Sequence, residues 1–211
     1  MQTEQLIADL ASDARPVPMP ARRLALAMVA GSALALAGLT VAFGSPLDPV
    51  AQRGLAASTM KLLYPLIIAV FGAAAALAAG RPGDRTEWRL APIGVALLIT
   101  IVMAAIQLAA APPAARDEML FGTTLARCVS SVALASIPVF AGLTWVFRLL
   151  APTRLAFAGF LIGLASGGAA AVAYALFCPE VSKAFLITAY TPAMLIPAVV
   201  GAIAGPRLLR W

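Results

Sequence analysis

The sequence predicts an all-α integral membrane protein with six transmembrane helices, both termini cytoplasmic, and a short N-terminal cytoplasmic amphipathic helix. Three observations carry this reading. The 211-residue chain is 62% hydrophobic and 11% charged, a composition that a soluble domain with a hydrated surface does not normally show. Six apolar runs, each near the roughly 20 residues that span a hydrocarbon core about 30 Å thick, are separated by charge-bearing breaks. Lys and Arg are also shared unequally between alternate breaks.

The N-terminal segment, residues 1–23 with the sequence "MQTEQLIADLASDARPVPMPARR", differs from everything after it. Thr3 can cap a helix with Glu4 and Gln5 in its first turn, and Leu6, Ile7 and Leu10 then share one face while Asp9 and Asp13 lie together on another. Pro16, Pro18 and Pro20 end that helix in a stiff, extended spacer. An acidic helix faces anionic lipid poorly, so the segment reads as a docking peptide for the groove of a soluble partner. Residues 24–211 then form the transmembrane domain, with spans at about 24–44, 62–79, 90–110, 129–149, 155–177 and 184–204. Arg22 and Arg23 precede the first run, but that run is too long for a signal peptide and five more follow it. Little chain remains outside the bilayer for a soluble catalytic or DNA-binding domain. The formal charge of +6 is therefore not a nucleic-acid footprint, and no direct nucleic-acid binding is expected.

Orientation follows from the basic residues, which are retained on the cytoplasmic side. Arg15, Arg22, Arg23, Arg81, Arg85, Arg89, Arg148, Arg154, Arg207 and Arg210 fall on one side; Arg53, Lys61, Arg116, Arg127 and Lys183 fall on the other. Both termini are thereby expected inside. The two cysteines, Cys128 at the start of the fourth span and Cys178 at the end of the fifth, are expected at the outer interface. Cys128 lies 24 residues before Pro152 and Cys178 lies 26 after it, so along a helical hairpin their levels differ by only about 3 Å. A disulfide needs Cα atoms within about 7 Å, closer than most packed helix axes. Gly159, Gly163 and Gly167 form a GxxxGxxxG row that lets a neighbouring backbone approach, although such rows also serve simply to pack spans. Gly201 and Gly205 repeat the pattern more weakly.

Buried cysteine is also a common small hydrophobe. The isolation of the pair, its matched depth and an outer compartment in which disulfides persist point to function. Arg127 beside Cys128 would favour thiolate, and Glu180 stands two residues from Cys178. Two thiolates with nearby carboxylates could instead hold a soft divalent metal, although Cys128 and Cys178 alone fall short of a structural zinc site.

Other chemistries are removed by composition. With no histidine there is no Ser-His hydrolysis and no His-ligated haem or zinc. There is no CxxC motif, no mid-span charge of the kind that marks coupled transport, and no repeat between the two halves. No enzymatic activity and no cofactor are expected. Gln107, Thr100, Ser130, Ser131 and Ser136 read as interhelical hydrogen-bonders.

The opening "TEQLIADLASDARPV", six spans, a cysteine beginning the fourth span, "YALFCPE" ending the fifth and a terminal "RLLRW" together resemble the NrsF-like family of six-span bacterial inner-membrane anti-sigma factors. The resemblance covers essentially the whole chain, although "AYTPAML" in the last span departs from the family's aromatic and glycine-containing pattern there. It implies that the protein sequesters a cytoplasmic extracytoplasmic-function (ECF) sigma factor at the membrane. It also implies release of that factor on heavy-metal or oxidative stress, with Cys128 and Cys178 as the residues needed for the response. With no soluble anti-sigma domain, the sigma factor would be held by the N-terminal segment and the short loops, Arg81–Arg89 among them. The alternative from another class is a small membrane carrier or efflux protein for a metal ion.

Overall fold

A computed structural model of the chain describes residues 20–45, 55–80, 86–150 and 152–210, together with residues 3 and 5. Among these, the helices are α1 (Pro20–Phe43), α2 (Leu55–Ala79), α3 (Glu87–Ala110), α4 (Pro113–Phe121), α5 (Leu125–Phe147), α6 (Leu155–Ala175), the short turn α7 (Lys183–Phe185) and α8 (Thr191–Leu208). A π-helical turn, Leu186–Tyr190, joins α7 to α8. Among the described residues six helices are long and apolar enough to cross a membrane, one for each apolar run of the sequence.

The boundaries depart from the sequence reading in three places. Pro20 opens α1 rather than ending a spacer, and Arg22 and Arg23 lie inside the helix; at the first helical position proline's missing N–H costs nothing. The loop before the fourth span contains α4, which buries none of its residues. The last span is broken near its start by the π turn. There Pro192 cannot donate to the carbonyl four residues back, and the Thr191 N–H and Oγ1 both reach Leu186 O instead; such turns accommodate one extra residue in a helix.

Helix α6 is the centre of the bundle. Of its most apolar stretch 72% is buried, against 22% for the first span and 17% for the third, so α1 and α3 show much of their apolar surface to lipid. Helices apolar on all sides belong in such positions. Small residues let α6 be approached on two faces. On one, a Cβ at Gly159 would run into Gly201 O, and one at Gly167 would lie 2.8 Å from Met194 O. On the other, a Cβ at Gly168 would lie 2.7 Å from Ala69 N of α2. The row Gly159, Gly163, Gly167 therefore seats α8, with Gly201 and Gly205 as its counterpart. It does not draw α6 towards α5, which corrects the expectation that these glycines close the cysteine hairpin. α1 packs on α5, where a Cβ at Gly31 would lie 2.7 Å from Val139 Cα.

Side chains join the ends of the spans. Arg148 Nε donates to Leu208 O at 2.8 Å, a cation closing the C-terminus of α8. Arg89 donates to Ala74 O at 3.1 Å, tying α3 to α2 instead of projecting outward. Gln107 Oε1 accepts from Lys183 N at 2.7 Å, the interhelical role expected of it.

Candidate functional site

Cys128 is the first residue of the buried stripe of α5, which continues through Val132, Ser136, Val139 and Leu143. Spacings of three and four keep these side chains on one helix face, and that face meets the core. Cys128 is consequently 0% exposed. Cys178 follows the end of α6, where the N–H groups of Phe177 and Cys178 both bond to Tyr174 O, at 2.9 and 3.1 Å. Pro179 bars any further helical turn. Cys178 is likewise 0% exposed and shares one apolar cluster with Cys128, Tyr174, Phe177, Phe185 and Tyr190. The two cysteines are not joined in a disulfide.

Stopping α6 at "CPE" leaves backbone carbonyls in need of donors, and α2 supplies one. Lys61 is only 2% exposed; its Nζ donates to Cys178 O at 2.9 Å and also to Glu180 O. A buried ammonium is costly unless well bonded, and carbonyls at a helix C-terminus are natural acceptors for it. The Glu180 carboxylate turns the other way. Its Oε1 accepts from Thr123 N at 2.9 Å, Thr123 Oγ1 at 3.2 Å and Thr124 Oγ1 at 3.3 Å, next to the N-terminus of α5, where a carboxylate is favoured. Gly122 makes room for it. Its φ of +52° with extended ψ is a conformation essentially reserved to glycine, and a Cβ there would sit 2.6 Å from Glu180 Oε1.

Below this polar layer, Tyr64 Oη and Thr191 Oγ1 share a hydrogen bond of 2.8 Å between α2 and α8. Tyr190, fully buried in the π turn, packs against Tyr174 at a tilted angle and against Phe185 edge-on.

The structure thus brings Cys128, Cys178 and Glu180 together, but the cysteines are shielded thiols rather than outward-facing ones. Cys128 faces inward because its helical stripe does, and Cys178 is buried in the same cluster with its carbonyl held by Lys61. Arg127, one position round the helix, is exposed. Among the described residues no group of three or more His, Cys, Asp or Glu side chains could hold a metal ion. Leu6, Ile7, Asp9, Leu10 and Asp13 lie outside the described residues, as do Arg81 and Arg85. Lys61, counted from sequence only as an outer-loop charge, is the residue that reasoning missed. Its signal was its register: Lys61, Tyr64, Pro65 and Ile68 follow helical spacing, and all four are buried.

Residues 10–211 match the family described as NrsF, negative regulator of sigma F. The chain is 39% identical over 222 residues to the probable anti-sigma-F factor NrsF of Azospira oryzae, covering all of both chains. It is 34% identical over 218 residues to the anti-sigma-F factor NrsF of Caulobacter vibrioides, again over the whole of both. No solved structure matches. The chain therefore belongs to the NrsF family of negative regulators of sigma F, non-enzymatic proteins that in this case carry six helices able to span a membrane.

Proposed function

We propose that this protein is a membrane-bound anti-sigma factor that holds an ECF sigma factor at the bacterial inner membrane and releases it on heavy-metal or oxidative stress sensed through Cys128 and Cys178. Full-length similarity to two anti-sigma-F factors supports the first half. The observation that carries the second is the convergence of the chain's two cysteines, fifty residues apart in sequence, in one cluster. Both termini and the even-numbered loops face the cytoplasm. There the apolar face Leu6, Ile7, Leu10 enters a groove of the sigma factor, with Asp9 and Asp13 at its rim.

The chemistry balances in either form of the stimulus. A soft divalent cation bridging the sulfurs displaces two protons. Hydrogen peroxide takes two electrons and two protons from the thiols; its O–O bond breaks, one S–S bond forms and two waters leave. Arg127 and Glu180 flank the sulfurs as accessory charges. Either bridge changes the packing between α5 and the end of α6, and the hairpin carries that change to its inner turn near Arg148 and Arg154. Moving the complex from 1:99 to 99:1 released requires about 5.5 kcal/mol of differential stabilisation, within the range of a metal–dithiolate or an unstrained disulfide.

The test is co-purification of the sigma factor with the protein from membranes before and after cadmium or peroxide. Wild type should lose its partner on treatment; Cys128→Ser, Cys178→Ser and the double variant should each keep it. A single variant that releases normally removes the paired-thiol mechanism, and failure of the wild type to retain any sigma factor removes the anti-sigma reading.

A further inference from the structure

We propose that Lys61 is the positioning residue of the thiol centre, and that the clamp it forms with Glu180 is the gate through which thiol-seeking reagents reach Cys128 and Cys178 from the outer side. The loop from Cys178 to Ser182 has no regular secondary structure. Pro179 is exposed and Val181 is 55% exposed. Polar contacts from α2, from the turn before α5 and from α3 tie it down. Lys61 of α2 takes the carbonyls of Cys178 and Glu180. The turn at the start of α5 takes the Glu180 carboxylate through Thr123 and Thr124. Gln107 of α3 takes the N–H of Lys183 just beyond the loop. Cys178 is itself the first residue of this loop, and both it and Cys128 have no solvent exposure.

The arrangement is therefore a polar latch on the loop that begins at Cys178. Charge-assisted bonds of this kind are strong, and here each charged group holds more than one partner. Removing the single ammonium releases two carbonyls at once, and neutralising the single carboxylate weakens three bonds to the start of α5. An opening that needs only these contacts to break exposes the thiols without separating α5, α6 and α8. The biological meaning of the gate rests on the proposed sensing role of the cysteines; its existence does not, because accessibility is read on the protein itself.

The experiment measures the labelling rate of Cys128 and Cys178 by a membrane-impermeant maleimide applied to the outer face of native membranes. Wild type should label slowly. Lys61→Met and Glu180→Gln should each label faster by about tenfold or more, as expected when a hydrogen bond to a charged group no longer holds the closed state. A probe cysteine placed by Val139→Cys in a background lacking both native cysteines reports on the deeper core of α5; with either clamp substitution added it should stay unlabelled. Wild-type rates in both clamp variants would overturn the proposal, as would wild-type thiols that already react like exposed ones. Equal labelling at the Val139→Cys probe would overturn it too, because the substitutions would then loosen the whole bundle. The two proposals fail separately. Fast labelling in the clamp variants, with normal sigma release in the cysteine-to-serine strains, keeps the gate and removes the sensor. Loss of release in those strains with unchanged labelling does the reverse.

Discussion

Replacing Gly163 by alanine should destabilise the protein, whereas the same replacement at Gly38 should stabilise it. Both residues sit inside membrane-spanning helices. A Cβ at Gly163 would lie 2.5 Å from the carbonyl carbon of Pro197 and 2.6 Å from Ala198 Cα, both backbone atoms of α8. Optimal carbon–carbon contact is about 3.5–4.0 Å, so α6 and α8 must part by roughly 1 Å. A gap of that size forfeits about a quarter to a half of the dispersion well for each facing pair. Some tens of pairs at about 0.1–0.2 kcal/mol give a loss near 2 kcal/mol, in line with the cost of overpacking a tight core. Against this stands a gain of roughly 0.5–1 kcal/mol from removing a mid-helix glycine. The net effect at Gly163 is a loss of about 1–2 kcal/mol. At Gly38 nothing lies within 4 Å of the added atom, and the gain stands alone. Reversible unfolding in mixed detergent micelles, followed by circular dichroism, measures both. If Gly163→Ala proves as stable as Gly38→Ala, the close backbone seating of α6 on α8 is wrong.

Three further outcomes are expected. Gln107→Leu should lower stability by about 1–3 kcal/mol in the same unfolding assay, because the Lys183 N–H at the start of α7 loses its acceptor in a part-buried setting; no change would mean that water replaces the amide. A C-terminal alkaline phosphatase fusion should be inactive and a C-terminal fluorescent fusion bright, as required by an inner C-terminus; an active phosphatase would reverse the orientation and place the thiol centre on the cytoplasmic side. Leu6→Asp combined with Leu10→Asp should raise sigma-dependent transcription without stress while membrane abundance stays normal. Unchanged repression would move the sigma contact to the cytoplasmic loops.

The sequence by itself determined the all-helical class and the number of helices long and apolar enough to span a membrane, because burial in lipid is a local property. An apolar run of sufficient length must be a helix, whatever its neighbours, since no water is present to satisfy its backbone. The buried stripe of α5 that begins at Cys128 was not legible, because it depends on the neighbours of that helix. Nor was it legible which helix meets which. The glycine row of α6 announced a close approach, but only the folded bundle showed that the partner is α8, because small-residue rows specify distance and not identity. The thiol centre divides in the same way. Two cysteines on one helical hairpin could be read from the spans. Their surroundings could not, because Lys61 reaches a carbonyl 117 residues away and Glu180 fills the space that Gly122 leaves open. A lysine next to a predicted span reads as a topological charge until the tertiary structure supplies its acceptors. Those acceptors are backbone carbonyls at and beyond the point where Pro179 ends a helix, so the bond that holds this loop has no signature in any one stretch of the chain.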